Sequence, residues 1–222
     1  MARTPRPLRT RSRGMRLTAL AGALVLTASA CGTYPGKAAV VGDTEISPDQ
    51  VDMTAAVVCI VDQSVGGQQA IARRKAVEFL VGTELIEMFG RDQNSLPTGA
   101  QISANPALDQ IQRDAAALPA DVRSDYVDTI TRLVESQQTL INVGFLAAAE
   151  DGSGVDGALA AGSAAYSSWL VEDAPEVIVD PRFGQWEGSA LVPSDSSLSV
   201  AVSDGARQAG GGADLPVTQS CS

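Results

Sequence analysis

The stretch from Ala38 to Val61 constrains the fold most, because it has the pattern of a strand, a turn, a second strand and a helix. Ala39–Val41 and Thr44–Ile46 are short β-prone runs, and Gly42-Asp43 can adopt the positive φ angles of a two-residue hairpin turn. A hairpin of this size is unstable alone. The rest of the chain must therefore supply a partner strand and a layer of helices.

The helix after this hairpin carries its own start signal. Ser47 is predicted as the N-cap, Pro48 as the first helical residue and Gln50 as the reciprocal partner of a capping box. The helix is expected to end near Gln63, with apolar residues at helical spacing at Val51, Ala55, Val58 and Val61.

Apolar periodicity predicts four more helices, over residues 68–89, 105–118, 119–149 and 158–171. Gly90 is interpreted as a cap after the second helix, residues 91–104 as a loop and residues 151–157 as a flexible joint. Glu176–Val179 and Leu198–Val202 are β-prone and are the expected partners of the hairpin. The predicted fold class is mainly α, with about five helices and a small β-sheet formed by the N-terminal hairpin and C-terminal strands.

The first thirty residues have the features of a targeting segment and are set aside from the fold. Six arginines precede an apolar run, Leu17–Leu26, that is short for a membrane span. Met15 to Cys31 resembles a bacterial lipoprotein signal, in which small residues precede a cysteine that receives a lipid; Ala28 departs from the leucine usual in that family. The resemblance implies lipidation of Cys31, and the alternative is an ordinary secretory signal cleaved after Ala30.

Charge and composition narrow the function classes. The six arginines lie in residues 1–30, which hold no acidic residue, so the formal charge of −10 for the whole chain becomes −16 from Cys31 onward. Such an acidic chain repels nucleic acid, and its attachment to a membrane is expected to come from the lipid anchor. The chain has no histidine, which removes the commonest general base and metal ligand.

Cys59 and Cys221 remain as a pair of cysteines in the exported chain. An oxidising compartment favours a disulfide between them, which would fasten the C-terminus to the first helix. The alternative is two unpaired thiols.

Two short motifs, residues 39–47 and residues 179–186, resemble stretches of exported foldases of the SurA and PrsA type. Residues 39–47 (AVVGDTEIS) are similar to the strand-turn-strand pattern that opens the N-terminal chaperone domain, with Gly-Asp in place of Asn-Gly. Residues 179–186 (VDPRFGQW) are similar to a stretch near the end of actinobacterial members. The resemblance implies a chaperone module. Full foldases also carry an isomerase domain whose active site contains histidines. Because this chain has no histidine, the isomerase domain is expected to be missing from it.

No catalytic or metal-binding group of residues is predicted, and no cofactor is expected. The acid pairs Glu84/Glu87 and Asp125/Asp128 are interpreted as solvent-facing sides of amphipathic helices. Residues 151–156 lack the ligands of a calcium loop. Three aromatic residues, if exposed, would form a surface for unfolded segments, but burial is favoured because the core has few other aromatics: Trp169, Phe183 and Trp186.

The predicted organisation is a signal over residues 1–30, a tether over 31–37, a helical chaperone-type domain over 38–204 and a Gly-rich tail over 205–222. The predicted function is that of a non-enzymatic protein, lipid-anchored on the outer face of the cell membrane. It would bind exported polypeptides in a groove among the helices at residues 68–89, 119–149 and 158–171. The alternative is a structural or accessory subunit of a cell-envelope complex.

Overall fold

The computed structural model describes residues 36–147, 154–192 and 221. As predicted, these residues are mainly helical, with a small antiparallel sheet. The helices of the described residues are α1 (Pro48–Val61), α2 (Gln69–Asp92), α3 (Gly99–Ser103), α4 (Ala107–Ala116), α5 (Arg123–Ala147) and α6 (Gly154–Glu172), with a 3₁₀ turn at Gln63–Val65.

A three-stranded antiparallel sheet joins the two ends of the described chain. Strands β1 (Ala39–Val41) and β2 (Thr44–Ile46) form the predicted hairpin, and β3 (Val177–Val179) pairs with the other edge of β1. The strand order is β2-β1-β3. The turn needs a positive φ at Gly42, which is +56°, and a Cβ there would lie 3.3 Å from the Cβ of Pro175. Glu176–Val179 and Leu198–Val202 were expected to pair with the hairpin, and the first of these segments does so as β3.

A second hairpin follows the sheet and was not predicted. It consists of β4 (Gln185–Glu187) and β5 (Ala190–Val192), which pair with each other. Gly188 in the turn has a φ of +61°. The predicted strand at Leu198–Val202 lies outside the described residues.

The helix starts agree with the capping chemistry. Ser47 Oγ accepts a hydrogen bond from the amide of Gln50 at 3.2 Å, and Gln50 Oε1 accepts one from the amide of Ser47 at 2.8 Å. Thr98 and Gln101 form a second capping box, which starts α3 inside the segment predicted as a loop. That prediction was wrong because Pro97 and Gly99 were interpreted as loop residues, while Thr98 between them caps a helix.

Gly90 is a packing residue rather than a helix cap. Helix α2 continues to Asp92, and a Cβ on Gly90 would lie 2.5 Å from Thr139 Cγ2 and 2.8 Å from Leu96 Cδ2. The prediction failed because close packing and capping both favour glycine, and the sequence does not separate them.

The main core lies between the sheet and α2, with α6 completing it. Helix α2 contributes more buried residues to it than any other element, including those on its apolar stripe: Val77, Leu80, Val81, Leu85 and Phe89 are buried, and Met88 is partly buried. The ring centroid of Phe89 lies 5.6 Å from that of Trp169 and 5.5 Å from that of Tyr166. A smaller core joins α1, α4 and α5 through Val57, Ile111, Ala115, Tyr126 and Val134.

Helices α5 and α6 approach each other closely enough to bring backbones into contact. A Cβ on Gly144 would lie 1.7 Å from the carbonyl oxygen of Ala158, and one on Gly162 would lie 1.9 Å from that of Leu140. Helix α6 begins at Gly154, so part of the predicted joint at 151–157 is helical. None of the described helices is both long and apolar enough to span a bilayer.

Candidate functional site: a groove along α5

A cleft of about 290 Å³ opens between α2 and α5. The segment after α2 closes one side of it with the apolar side chains of Leu96 and Pro97. The two helices supply the other lining residues, which are all polar: Thr83, Glu84, Glu87, Arg132, Glu135, Ser136 and Thr139.

A second cleft of about 170 Å³ lies farther along α5, where α1 and α2 face it. Arg132 lines both clefts. The other lining residues combine apolar, neutral polar and acidic groups: Gln50, Met53, Thr54, Phe79, Leu80, Asp125, Asp128 and Thr129. We call the two clefts together the α5 groove.

The length of the α5 groove follows from helix geometry. Its lining residues on α5 run from Asp125 to Thr139. At a rise of 1.5 Å per residue these span about 21 Å, which matches an extended polypeptide of roughly six residues. The groove is therefore long enough for a peptide segment.

Acidic groups dominate the electrostatics of the first cleft. The side chain of Glu84 is only 14% exposed, and it accepts a hydrogen bond from Thr44 Oγ1 at 2.9 Å. Arg91 Nη2 donates to Glu87 Oε1 at 2.6 Å and lies 3.7 Å from Glu84 Oε1. The hydrogen bond to Glu87 raises the pKa of Arg91 above its usual value, so this arginine stays charged. Glu135 is exposed and makes no ion pair within the described residues.

The hydroxyl groups that line the first cleft are turned toward their own helices. Thr83 donates to the carbonyl of Leu80 at 3.1 Å, and Thr139 donates to that of Glu135 at 2.9 Å. Ser136 donates to the carbonyl of Arg132 at 2.9 Å. Each hydroxyl has used its proton, so toward the cleft it can only accept hydrogen bonds. Together with the carboxylates they favour a ligand that brings its own donors.

The two acid pairs in the sequence line this open groove; Glu87 and Asp128 are exposed, as expected for solvent-facing groups, whereas Glu84 and Asp125 are partly buried. Glu84 and Glu87 lie in the first cleft, and Asp125 and Asp128 in the second. Spacing within one helix cannot reveal which other helix faces it. The predicted groove also included the helix at 158–171, but α6 lines neither cleft, since its glycine contacts with α5 leave no space between the two.

The three aromatic residues considered for client binding do not form an exposed surface together. Trp169 and Phe183 are buried, as the sequence favoured, and only Trp186 is partly accessible. The indole of Trp169 donates to Asp92 Oδ2 at 3.0 Å, and that of Trp186 donates to the carbonyl of Gly188 at 3.0 Å. These contacts hold both rings in the fold.

The structure joins Cys59 of α1 to Cys221 through a disulfide, with the two Cα atoms 5.5 Å apart. The amide of Cys221 also donates to the carbonyl of Gly67 at 2.8 Å. The C-terminal end of the chain is thus fixed beside the start of α2. Cys31, the predicted lipidation site, lies outside the described residues.

Neither a metal-binding group of residues nor a similarity to a known protein assigns a function to the described residues. Within residues 36–147, 154–192 and 221, no group of three or more Cys, Asp or Glu side chains is placed to hold a metal ion. The chain matches no protein-family model, and no curated protein or solved structure is significantly similar to it.

Proposed function

We propose that this protein is a lipid-anchored, non-enzymatic chaperone-like protein that binds exported polypeptides in the α5 groove. The single observation that carries the proposal is the groove itself: its two clefts share Arg132, and their lining residues on α5 run over about 21 Å, which suits an extended segment of roughly six residues.

The lining indicates the chemistry of the client. Apolar side chains occur in both clefts, at Met53 and Phe79 in one and at Leu96 and Pro97 in the other. They can bury apolar side chains of a client, which is the main source of affinity for unfolded segments. The carboxylates around them favour clients that also carry Lys or Arg, because the charges are complementary.

The anchoring part of the proposal rests on the N-terminal sequence. The basic start, the apolar run and the small residues before Cys31 are the features of a lipoprotein signal. The resemblance of residues 39–47 and 179–186 to exported foldases supports the same compartment. A protein held on the outer face of the membrane meets polypeptides as they emerge.

The test measures aggregation of an unfolded client that contains both basic and apolar segments. The full-length protein purified from membranes, at an equimolar ratio, is expected to suppress light scattering by the client. Glu135→Lys reverses a charge in the groove and is expected to weaken this suppression several-fold. Glu135 has no ion-pair partner among the described residues, so its replacement leaves the fold intact.

Glu172→Lys is the matched control, because it makes the same charge change at an exposed position at the end of α6, outside the groove. It is expected to suppress aggregation like the unmodified protein. An absence of suppression by the unmodified protein would contradict the proposed function, and equal loss in both variants would exclude the α5 groove as the site.

A second candidate, an accessory subunit of a cell-envelope complex, is favoured by a different surface. Three large apolar side chains flank the connection between α5 and α6 and are exposed: Phe145 at 47%, Leu146 at 67% and Val155 at 56%. Such a surface suits one fixed partner. Cross-linking in membranes would then give a single stoichiometric product, whereas a chaperone would give many.

A further inference from the structure

Half of the cationic side chains of the exported chain lie at one end of the fold. Residues 31–222 contain ten Lys and Arg residues. One turn at the start of α2 carries three of them, and two more flank the sheet where the chain enters β1 and leaves β3. We call this set the basic end: Lys37, Arg73, Arg74, Lys75 and Arg182.

Contacts between the sheet and α2 connect Lys37, Arg182 and Arg73, and Arg74 and Lys75 follow Arg73 in the helix. The amide of Asp180 donates to the carbonyl of Ala38 at 2.9 Å, which places the residues after β3 beside the beginning of β1. The ring of Phe183 contacts two guanidinium groups, with Arg182 Cζ 4.9 Å and Arg73 Cζ 5.8 Å from its centroid. Cations at such distances are attracted to the ring face, so both groups are held in place.

The basic end differs in charge from the rest of the molecule. Four of its five cations have a carboxylate partner, namely Glu45, Asp52, Asp62 and Asp180. Arg74 is exposed and makes no ion pair within the described residues. The set with its partners therefore carries about one net positive charge, so the other residues from Cys31 onward carry −17 of the total of −16. The charge distribution is strongly asymmetric.

The chain length before β1 connects this asymmetry to the membrane. Only six residue steps separate Cys31 from Lys37, and they reach at most about 20 Å when fully extended. If Cys31 carries a lipid, as the proposed function requires, the end of the fold that contains Lys37 is held close to the bilayer. Anionic headgroups repel the acidic remainder and attract cations within a Debye length of about 8 Å.

We infer that the basic end faces the bilayer and contacts the phosphates of anionic phospholipids through Arg74, Arg182 and their cationic neighbours. The side chain of Arg182 is 52% exposed, and its contact with Phe183 holds the guanidinium group in one position. A guanidinium group held in this way can bind a phosphate. The lipid supplies attachment, and the basic end supplies orientation.

The test compares arginine reactivity in two kinds of vesicle. The full-length lipidated protein is reconstituted into phosphatidylcholine vesicles, or into vesicles with about a third phosphatidylglycerol, and is treated with phenylglyoxal before peptide mass spectrometry. Arg74 and Arg182 are expected to react at least threefold more slowly on the anionic vesicles. Arg113 and Arg123 are exposed on α4 and α5 and serve as internal controls whose rates should not change.

A charge-reversed protein, R74E with R182E, is compared with a control that makes the same charge change elsewhere, R113E with R123E. In the unmodified protein Arg73, which contacts the same Phe183 ring as Arg182, is also expected to react more slowly on anionic vesicles. The first double variant is expected to remove this difference at Arg73, and the second to preserve it. Equal rates at Arg74 and Arg182 in both vesicles, with the lipid mass present on Cys31, would overturn this orientation and leave the proposed function standing. Absence of the lipid mass would overturn both.

Discussion

At the scale of single residues, Tyr166 shows how burial changes chemistry in this core. Its ring stacks against Trp169, with centroids 6.0 Å apart, and packs against Phe89. Burial raises the pKa of Tyr166 to about 12, because the phenolate loses its hydration there. The phenol of Tyr166 therefore stays neutral to a higher pH in the folded protein than in the unfolded chain.

This pKa predicts a loss of stability at high pH. The folded pKa lies above the usual value of 10.0, so the contribution is fully present below pH 10 and is lost between about pH 10 and 12. Urea unfolding at pH 9 and at pH 11.5 should show a larger drop in unfolding free energy for the unmodified protein than for Tyr166→Phe, which has no proton to lose. Equal drops would show that Tyr166 does not govern the alkaline transition.

At the scale of elements, the parts of the fold that depend on local chemistry could be predicted from the sequence. The hairpin, the capping box at Ser47 and the α2 stripe each follow from residues close together in the chain. The β4–β5 hairpin was missed although its strands are as long as β1 and β2, because Gln185–Glu187 has one β-prone residue, Trp186, between two polar ones, whereas Ala39–Val41 is a β-prone run.

The α5 groove could be predicted only in part. The sequence indicated that α2 and α5 would each have an apolar stripe, but the space between two helices depends on how closely each packs against its other neighbours. Gly144 and Gly162 remove that space between α5 and α6. Their role could not be recognised, since glycine in a helix is ordinarily a destabilising residue and carries no side-chain pattern.

Two glycine substitutions are expected to have opposite effects on stability, because Gly144 lies where α5 and α6 are in contact and Gly82 in α2 has open space beside it. Gly144→Ala would place a methyl group 1.7 Å from a backbone oxygen of α6, so the helices must separate. We expect destabilisation of about 1–3 kcal/mol or more, as for other overpacked cores. Gly82→Ala in α2 meets nothing within 4 Å and is expected to stabilise by about 0.5–1 kcal/mol through helix propensity alone.

Chemical unfolding monitored by circular dichroism measures both changes. A neutral or stabilising effect of Gly144→Ala would contradict the helix contact described here.

At the scale of the whole molecule, the Cys59–Cys221 disulfide joins residues 162 positions apart. It connects α1 to the last described residue and closes a covalent loop that contains α2 to α6 and β3 to β5, while β1, β2 and most of α1 lie outside the loop. A crosslink of this length removes conformational freedom mainly from the unfolded chain.

Breaking this disulfide is expected to lower the free energy of unfolding by about 2–4 kcal/mol. Cys221→Ser with Cys59→Ser is the variant, and reduction of the unmodified protein is the matched chemical test. Urea unfolding should give the same midpoint for the variant and the reduced protein, both below that of the oxidised protein. If reduction leaves the midpoint unchanged, the crosslink does not constrain the unfolded chain as the structure implies.

The central position of β1 has a mechanical consequence. A pull on the chain before Lys37 acts along β1, which is bonded on both sides, so the ladders to β2 and β3 are loaded together in shear. The covalent path from Lys37 to Cys221 passes through Cys59 and the disulfide, so once the ladder to β3 has broken the chain between those cysteines cannot be extended by the pull. Only residues 37–59 could unravel under such tension, a length of about 80 Å.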